Sequence, residues 1–442
     1  MALVLTPDRG DIVERSEHLA RSLSLRHFIG IGINMCIGGS IFLVGSEVFR
    51  LSKEWSLIIA GGVGTFSLTM SLIVAEVSGR FSSTGGPYLY ARVAFGPLCG
   101  FLVAWLMWFV RVLVQASLTN GVITSAGAYV AAKEVTGTSR VFGIALITVV
   151  IAVVNLRKIE QGARTILAFA LLKLIPLFFV IGAGLAFDAV GPVVFGPAPA
   201  TLDVIATAML LLFTFSGYEV IPVTAGEGRN PRRDAPLATV ISVLIMVATW
   251  LLLQWVLIRT VPQLGSSPRP VVASAEFLGG PFAGAFVNLG AIVSALGTCL
   301  GSLLSGSRCL YALGADALVP HWFGRVGVRT FVPQNAILFT AVAAFVLAST
   351  GSFLLLATAA AIPRLIIFFF TAACLLKFRN QDRRAGTITE HFRLPGGRFL
   401  AAICMLTCIL VVLAASRGQL LFGLGGTAVG AILYALALHQ RR

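Results

Sequence analysis

Along this chain apolar residues do not alternate with polar ones but continue in long unbroken runs. Runs long enough to cross a hydrocarbon layer of roughly 30 Å occupy 27–49, 56–79, 97–130, 140–156, 163–187, 202–224, 236–261, 282–313, 333–350, 353–376, 399–416 and 419–438. They predict about twelve membrane-crossing helices joined by short polar connections. The stretch from Arg80 to Gly96, containing Ser82-Ser83-Thr84-Gly85-Gly86-Pro87-Tyr88, is too polar to cross and is predicted as a surface helix.

Two of the runs carry glycine-rich interruptions, Ile37-Gly38-Gly39-Ser40 in the first and Phe215-Ser216-Gly217-Tyr218-Glu219 in the sixth. Unwound backbone at membrane depth is tolerated only where it lines a cavity or is buried in protein. The first ten runs divide into two sets of five, each opening with an interrupted helix, which is the sequence pointer to an inverted repeat with a binding site at its interface. The predicted fold is therefore an all-α polytopic membrane protein: a 5+5 inverted repeat with broken helices one and six, and two extra C-terminal helices. Residues 1–26 form an N-terminal segment. Residues 27–438 form one transmembrane domain (27–187 and 202–376 as the repeats, 399–438 as helices eleven and twelve), and 439–442 are a C-terminal tail.

Composition removes the soluble classes. A mean hydropathy of +0.93, with 57% hydrophobic and 12% charged residues over 442 positions, lies outside the range of water-soluble domains. The net charge of +15 does not call for nucleic acid. With the N-terminus inside, roughly 22 of the Lys and Arg residues fall in cytoplasmic segments and about 7 in outer loops, as the positive-inside rule expects. Both termini are thus expected in the cytoplasm. The 378–398 connection, with Arg379, Arg383, Arg384, Arg393 and Arg398, is the strongest vote. The first 26 residues are polar and of mixed charge, so no cleavable leader is expected, and a prokaryotic inner membrane is the expected home. The seven cysteines form no CxxC pair and the five histidines have no metal-ligand spacing, so neither metal nor cofactor is expected. No phosphate-binding loop is present in the sequence, which argues against ATP as the direct energy source.

The order of motifs resembles the amino acid–polyamine–organocation (APC) superfamily of secondary transporters, over nearly the whole chain. Gly38-Gly39-Ser40-Ile41-Phe42 is similar to the family's glycine-rich ending of the first span. Ala75-Glu76-Val77-Ser78-Gly79-Arg80-Phe81 followed by Gly85-Gly86-Pro87-Tyr88-Leu89-Tyr90 resembles its signature after span two. Phe213-Thr214-Phe215-Ser216-Gly217-Tyr218-Glu219, then Gly226-Glu227-Gly228-Arg229-Asn230-Pro231-Arg232-Arg233, resembles span six and its exit. Ser307-Arg308-Cys309-Leu310-Tyr311-Ala312-Leu313, Asp316 and Pro320 match the end of span eight.

A free amino acid presents a carboxylate and an ammonium, and two broken helices offer complements to both. Backbone N–H groups at the start of a half-helix bind carboxylate, and carbonyls at the end of another bind ammonium. The amides of Gly38, Gly39 and Ser40 are the expected carboxylate donors. The carbonyls near Met35 and Cys36, with those of Phe215 and Ser216, are the expected ammonium acceptors, although Gly38 and Gly39 also suit close helix packing. Ser40 departs from the glycine usual in the family, and its hydroxyl adds a donor or narrows the pocket. Phe215 and Tyr218 are candidates to cap a substrate, or else pack against helices or lipid.

Ionisable side chains inside spans are costly enough to be functional hypotheses in their own right. Lys173 of span five resembles a lysine that, in part of the family, occupies the place of a sodium ion. It is expected to touch first-span carbonyls and span-eight hydroxyls such as Ser302 or Ser305, and either couples transport to pH or serves as a fixed strut. Glu219 resembles the pH-responsive glutamate of the arginine/agmatine exchangers, with a structural hydrogen bond to helix ends as the alternative. Glu76 is expected to pair with a basic loop residue. Arg111 departs from the family, where this part of span three is uncharged. Arg111, Gln115 and Thr119 share a helical face at i, i+4, i+8, and Gln115 aligns with a polar pocket residue of the arginine/agmatine exchangers. Arg111 is expected to pair with Glu219 or Glu76, or else to bind an anionic substrate group. Arg364 follows Pro363 in span ten, where it would cap a kink.

The resemblance implies an alternating-access amino acid transporter, a proton-linked symporter or an exchanger, with lipid around it. An amine or polyamine carrier of the same fold is the alternative, but needs acidic pocket residues, and Glu219 is the only obvious one. A membrane-embedded enzyme would require paired carboxylates or a nucleophile–base pair, for which the sequence has no candidate. A sensor or channel would differ in showing no flux against a gradient.

Overall fold

The computed structural model describes residues 23–83, 85–130, 136–157, 159–186, 193–327, 332–385 and 392–439. The expected cytoplasmic segment at 1–22 and the tail at 440–442 lie outside these residues, as do Thr84 and part of the basic 378–398 connection. The described chain is helical throughout: α1 (Leu25–Cys36), α2 (Val44–Ser52), α3 (Ser56–Ser78), α4 (Pro87–Phe95), α5 (Pro97–Val130), α6 (Gly137–Asn155), α7 (Ile159–Ala186), α8 (Thr201–Thr214), α9 (Pro231–Thr260), α10 (Pro270–Ala315), α11 (Gln334–Thr350), α12 (Phe353–Ala359), α13 (Ala361–Ala385), α14 (Gly397–Leu413) and α15 (Arg417–His439). Among the described residues, nine helical segments are long and apolar enough to cross a membrane, and α11 and α14 are shorter apolar helices. Every predicted run falls on a helix, and the polar stretch before Gly96 contains the short helix α4.

Both predicted interruptions are present. Span one is α1, a 3-10 turn at Gly39–Phe42, and α2; span six is α8 followed by a 3-10 segment at Tyr218–Glu227. A third discontinuity, in span ten, separates α12 from α13 at Ala360. Pro363 explains it: without an N–H it cannot bond the Ala359 carbonyl four residues back, so the helix resets there. Helix α10 is likewise two helices joined at Gly280, whose φ of 75° precedes Pro281.

Helices α5 and α10 pack along one another, α3 lies on α9, and α7 on α10. The outer helices invert the usual pattern. On α6, Phe142, Leu146, Val149, Val150 and Val153 are exposed, an outward apolar stripe at helical spacing that suits lipid tails rather than water. Charged residues pair at the ends of helices: Glu76 accepts from Arg379 Nε (2.7 Å), Arg379 Nη2 (2.6 Å) and the Leu394 amide (2.7 Å), and Arg80 meets Asp382 at 2.5 Å. Glu76 thus has a basic partner from the 378–398 connection, although Arg379 is buried at the end of α13 rather than in a loop.

Candidate functional site

The two broken spans lie side by side and run in opposite directions. Leu23, before α1, exchanges backbone hydrogen bonds with Glu227 and Arg229, at the far end of the second break (2.9 Å each). Deeper in, a Cβ on Gly217 would fall 2.5 Å from the Met35 carbonyl oxygen. The breaks therefore meet at the same depth. Gly217 has φ 112°, a region costly for any residue with a Cβ; conformation and contact both require glycine there.

Beside this meeting point is a small cavity lined by Met35, Cys36, Gly38, Ser40, Arg111, Val114, Leu118, Phe213, Thr214, Ser216, Gly217, Thr298 and Arg364. Its walls come from both breaks and from α5, α8, α10 and α13. At the first break, a 3-10 turn begins after Gly38 and leaves its leading N–H groups without acceptors inside the turn. Lys173 Nζ donates to the carbonyls of Asn34 and Ile37, at 2.9 Å each. Those carbonyls bracket Met35 and Cys36, the two residues between them that line the cavity.

The two glycines of the first break differ in what they meet. A Cβ on Gly38 would stand 3.3 Å from Thr298 Oγ1, beside the cavity, whereas one on Gly39 would stand 2.6 Å from the Ala295 Cβ and 2.8 Å from its Cα. Gly39 is the point of close approach to α10. The span-eight hydroxyls near the lysine are also not those expected. Thr298 donates to the Asn34 carbonyl (3.3 Å) and Ser294 lies 3.5 Å from that of Ile37. Ser305 bonds the Gly301 carbonyl of its own helix, and Ser302 Oγ is buried without a partner.

The face of α5 toward the cavity is Arg111, Val114 and Leu118, at i, i+3, i+7, one step around from the expected Arg111, Gln115, Thr119 face. Neither Gln115 nor Thr119 lines the cavity: Thr119 Oγ1 lies 3.9 Å from Cys299 Sγ of α10, and the same sulfur is 3.7 Å from the Gln115 backbone carbonyl. The Gln115 amide is buried with neither end hydrogen-bonded. The aromatics divide similarly. Phe215 packs edge-on against Trp250 (5.5 Å) and Tyr218 stacks on Phe368 (5.7 Å), while Phe213 is the aromatic at the cavity.

Charge is concentrated at one side. Glu219 Oε1 accepts from Arg111 Nη2 at 2.6 Å, and Oε2 accepts from the Gly217 amide at 2.8 Å. Arg364 Nε stands 3.6 Å from the same Oε1. All three side chains are at most 4% exposed. Arg111 takes the ion-pairing alternative, with Glu219 rather than Glu76. Arg364 is the residue whose part sequence reasoning missed: it occupies the first turn of α13 and reaches the cavity instead of capping the bend. Its only sequence signal was an arginine one residue after a proline inside an apolar run.

Antiparallel broken helices around a partly polar cavity, within a bundle whose outer helices are apolar, define a polytopic membrane protein with two interrupted spans. The amino acid permease family model matches residues 23–433, and the chain belongs to that family. It is 27% identical over 383 residues to a protein named cationic amino acid transporter 3, mitochondrial, of Arabidopsis thaliana, covering 82% of this chain and 63% of that one. A vacuolar cationic amino acid transporter 4 of the same plant is 25% identical, with 82% and 64% covered. The gamma-aminobutyric acid permease of Bacillus subtilis is 23% identical over 457 residues, with 96% and 94% covered. The chain thus spans less than two thirds of the length of the plant relatives and nearly all of the bacterial one.

Proposed function

We propose that this protein carries amino acids across a membrane by alternating access, as a proton-linked symporter or an amino acid exchanger. The observation that carries the reading is the cavity at which two antiparallel broken helices meet, with Gly38 and Ser40 from one and Ser216 and Gly217 from the other. Amides at the start of the Gly39–Phe42 turn suit a carboxylate, and the backbone at Met35, Cys36 and Ser216 suits an ammonium. Gly39, Phe215 and Tyr218 belong to the same two breaks, packed against Ala295, Trp250 and Phe368 respectively. The opposite directions of the two segments support an inverted repeat of 27–187 and 202–376 within one transmembrane domain. The Lys and Arg bias supports cytoplasmic termini in a cell membrane. The family match and the relatives named as amino acid transporters and permeases support the substrate class. For an amine or polyamine the cavity has little to offer, since Glu219 is already bonded to Arg111 and to the Gly217 amide.

The test is uptake into proteoliposomes of a mixed labelled amino acid pool, with and without an inward proton gradient, and with amino acid preloaded. Gradient-driven accumulation identifies symport, and stimulation by internal amino acid identifies exchange. Absence of flux in every condition sinks the reading.

A further inference from the structure

The cavity holds more positive charge than its own carboxylate neutralises. Among the described residues, the charged groups that reach it or touch its backbone are Arg111 from α5, Glu219 beyond the second break, Arg364 from α13 and, behind the first break, Lys173 from α7. Glu219 is committed: one oxygen takes the Arg111 guanidinium and the other the Gly217 amide. Lys173 is held by two carbonyls. Arg364 is left over. It is 1% exposed, its nearest carboxylate is 3.6 Å from Nε, and neither Nε nor Nη1 has a hydrogen-bond partner. It also faces the Phe213 ring, 6.0 Å from Cζ to centroid, and Phe213 is itself a wall of the cavity.

A guanidinium buried without a full counter-charge is among the most expensive arrangements a membrane interior can hold. It is relieved when a planar anion fills the fork. The charge on the ligand then decides which amino acid fits. A neutral zwitterion brings one positive and one negative group and leaves the excess unchanged. A cationic side chain adds to it, and an anionic side chain cancels it. Resting on the amino acid reading above, we infer that the substrate is an amino acid with a carboxylate side chain, and that Arg364, pointing into the cavity beside the Arg111–Glu219 pair, receives that carboxylate. The cationic specificity in the names of the plant relatives therefore does not carry over to this chain.

Glutamate and glutamine, or aspartate and asparagine, differ by one charge at nearly constant shape, so the experiment compares them. Purified protein in proteoliposomes is given labelled L-glutamate, L-leucine or L-lysine in separate assays, each with unlabelled glutamate, glutamine, aspartate, asparagine, leucine and lysine as competitors. The expected result is that each acid competes at least about tenfold better than its amide, the discrimination that one charged hydrogen-bonded contact supplies. In Arg364→Gln, whose folding is checked by its elution as a single species, the glutamate-to-glutamine ratio is expected to fall to near one while glutamine still binds. The wild-type comparison decides by itself if that variant does not fold. Equal competition by acid and amide, or preference for lysine or leucine, overturns the anionic assignment and leaves amino acid transport standing. Binding of none of these, together with no flux of the mixed amino acid pool, overturns both; binding of none with flux of the pool overturns the anionic assignment alone.

Discussion

Arg111 Nη2 lies 2.6 Å from Glu219 Oε1, which ties the middle of span three to the residue two places past the left-handed Gly217. The pair is buried, so its halves are not equivalent to surface charges. Replacing Glu219 with Gln leaves two guanidiniums facing a neutral amide, and removing one partner of a buried pair costs about 3–5 kcal/mol. Glu219→Gln is expected to lower the melting temperature in detergent sharply. Arg111→Gln together with Glu219→Gln should lose less than the sum of the single changes. Strictly additive losses would show that the two side chains do not depend on each other.

Lys173 bonds two carbonyls of the first break, those of Asn34 and Ile37. We expect Lys173→Ala to leave assembly intact, because Thr298 and Ser294 still approach those carbonyls, but to flatten the pH dependence of uptake. Uptake measured from acid to alkaline pH in wild type and variant checks this, and superimposable profiles would remove the lysine from coupling.

At the breaks, glycine substitutions should separate by what each Cβ meets. Gly217→Ala forces a positive φ on alanine, at a cost of about 1–3 kcal/mol, and drives its methyl into the Met35 carbonyl; loss of transport with reduced stability is expected. Gly39→Ala presses on the α10 backbone and should destabilise by a similar 1–3 kcal/mol or so. Gly38→Ala first meets the Thr298 side chain, at 3.3 Å rather than in a clash with backbone, and is expected to weaken substrate affinity with little change in melting temperature. Affinity and thermal unfolding measured on the same preparations distinguish the three.

Tyr88 and Arg92 on α4 converge on Asp316 at the end of α10: the Tyr88 hydroxyl donates to Oδ2, as does Arg92 Nη1 at 2.6 Å. Burial, and then the Asp316 charge, pushes the Tyr88 phenol above its ordinary value. A phenol held higher in the folded state keeps its full contribution below its unfolded value of about 10 and loses it only as pH rises beyond that. Thermal stability in Tyr88→Phe should therefore trail wild type by a constant margin between about pH 6 and 9. Asp316→Asn should cost about 1–3 kcal/mol and loosen α4, readable as faster proteolysis near Gly85 and Gly86.

Much of the architecture was legible. The apolar runs located the helices because the hydrocarbon layer imposes length and polarity on any segment that crosses it. The two glycine interruptions located the breaks for the same reason: backbone that stops bonding itself needs a special site. Finer placement was not legible where several helical faces were equally apolar. On α5, both the i, i+4, i+8 and the i, i+3, i+7 stripes contain plausible residues, and only the packed bundle puts Val114 rather than Gln115 at the cavity. Phe213 and Phe215 are two residues apart in one motif, and the end of helix α8 between them sent one to the cavity and the other to Trp250.

What the sequence determined by itself was the class of molecule, the order of its spans, where two of them break and which charges are buried, since all of these follow from local composition and the solvent the chain must satisfy. What only the tertiary structure decided was partnership. Arg111 and Glu219 are separated by 108 residues and Arg364 comes from a third helix, so their meeting around one cavity depends on how distant helices pack. The excess guanidinium there is a property of that meeting, because no single segment records whether a charge it carries will find its counter-charge elsewhere.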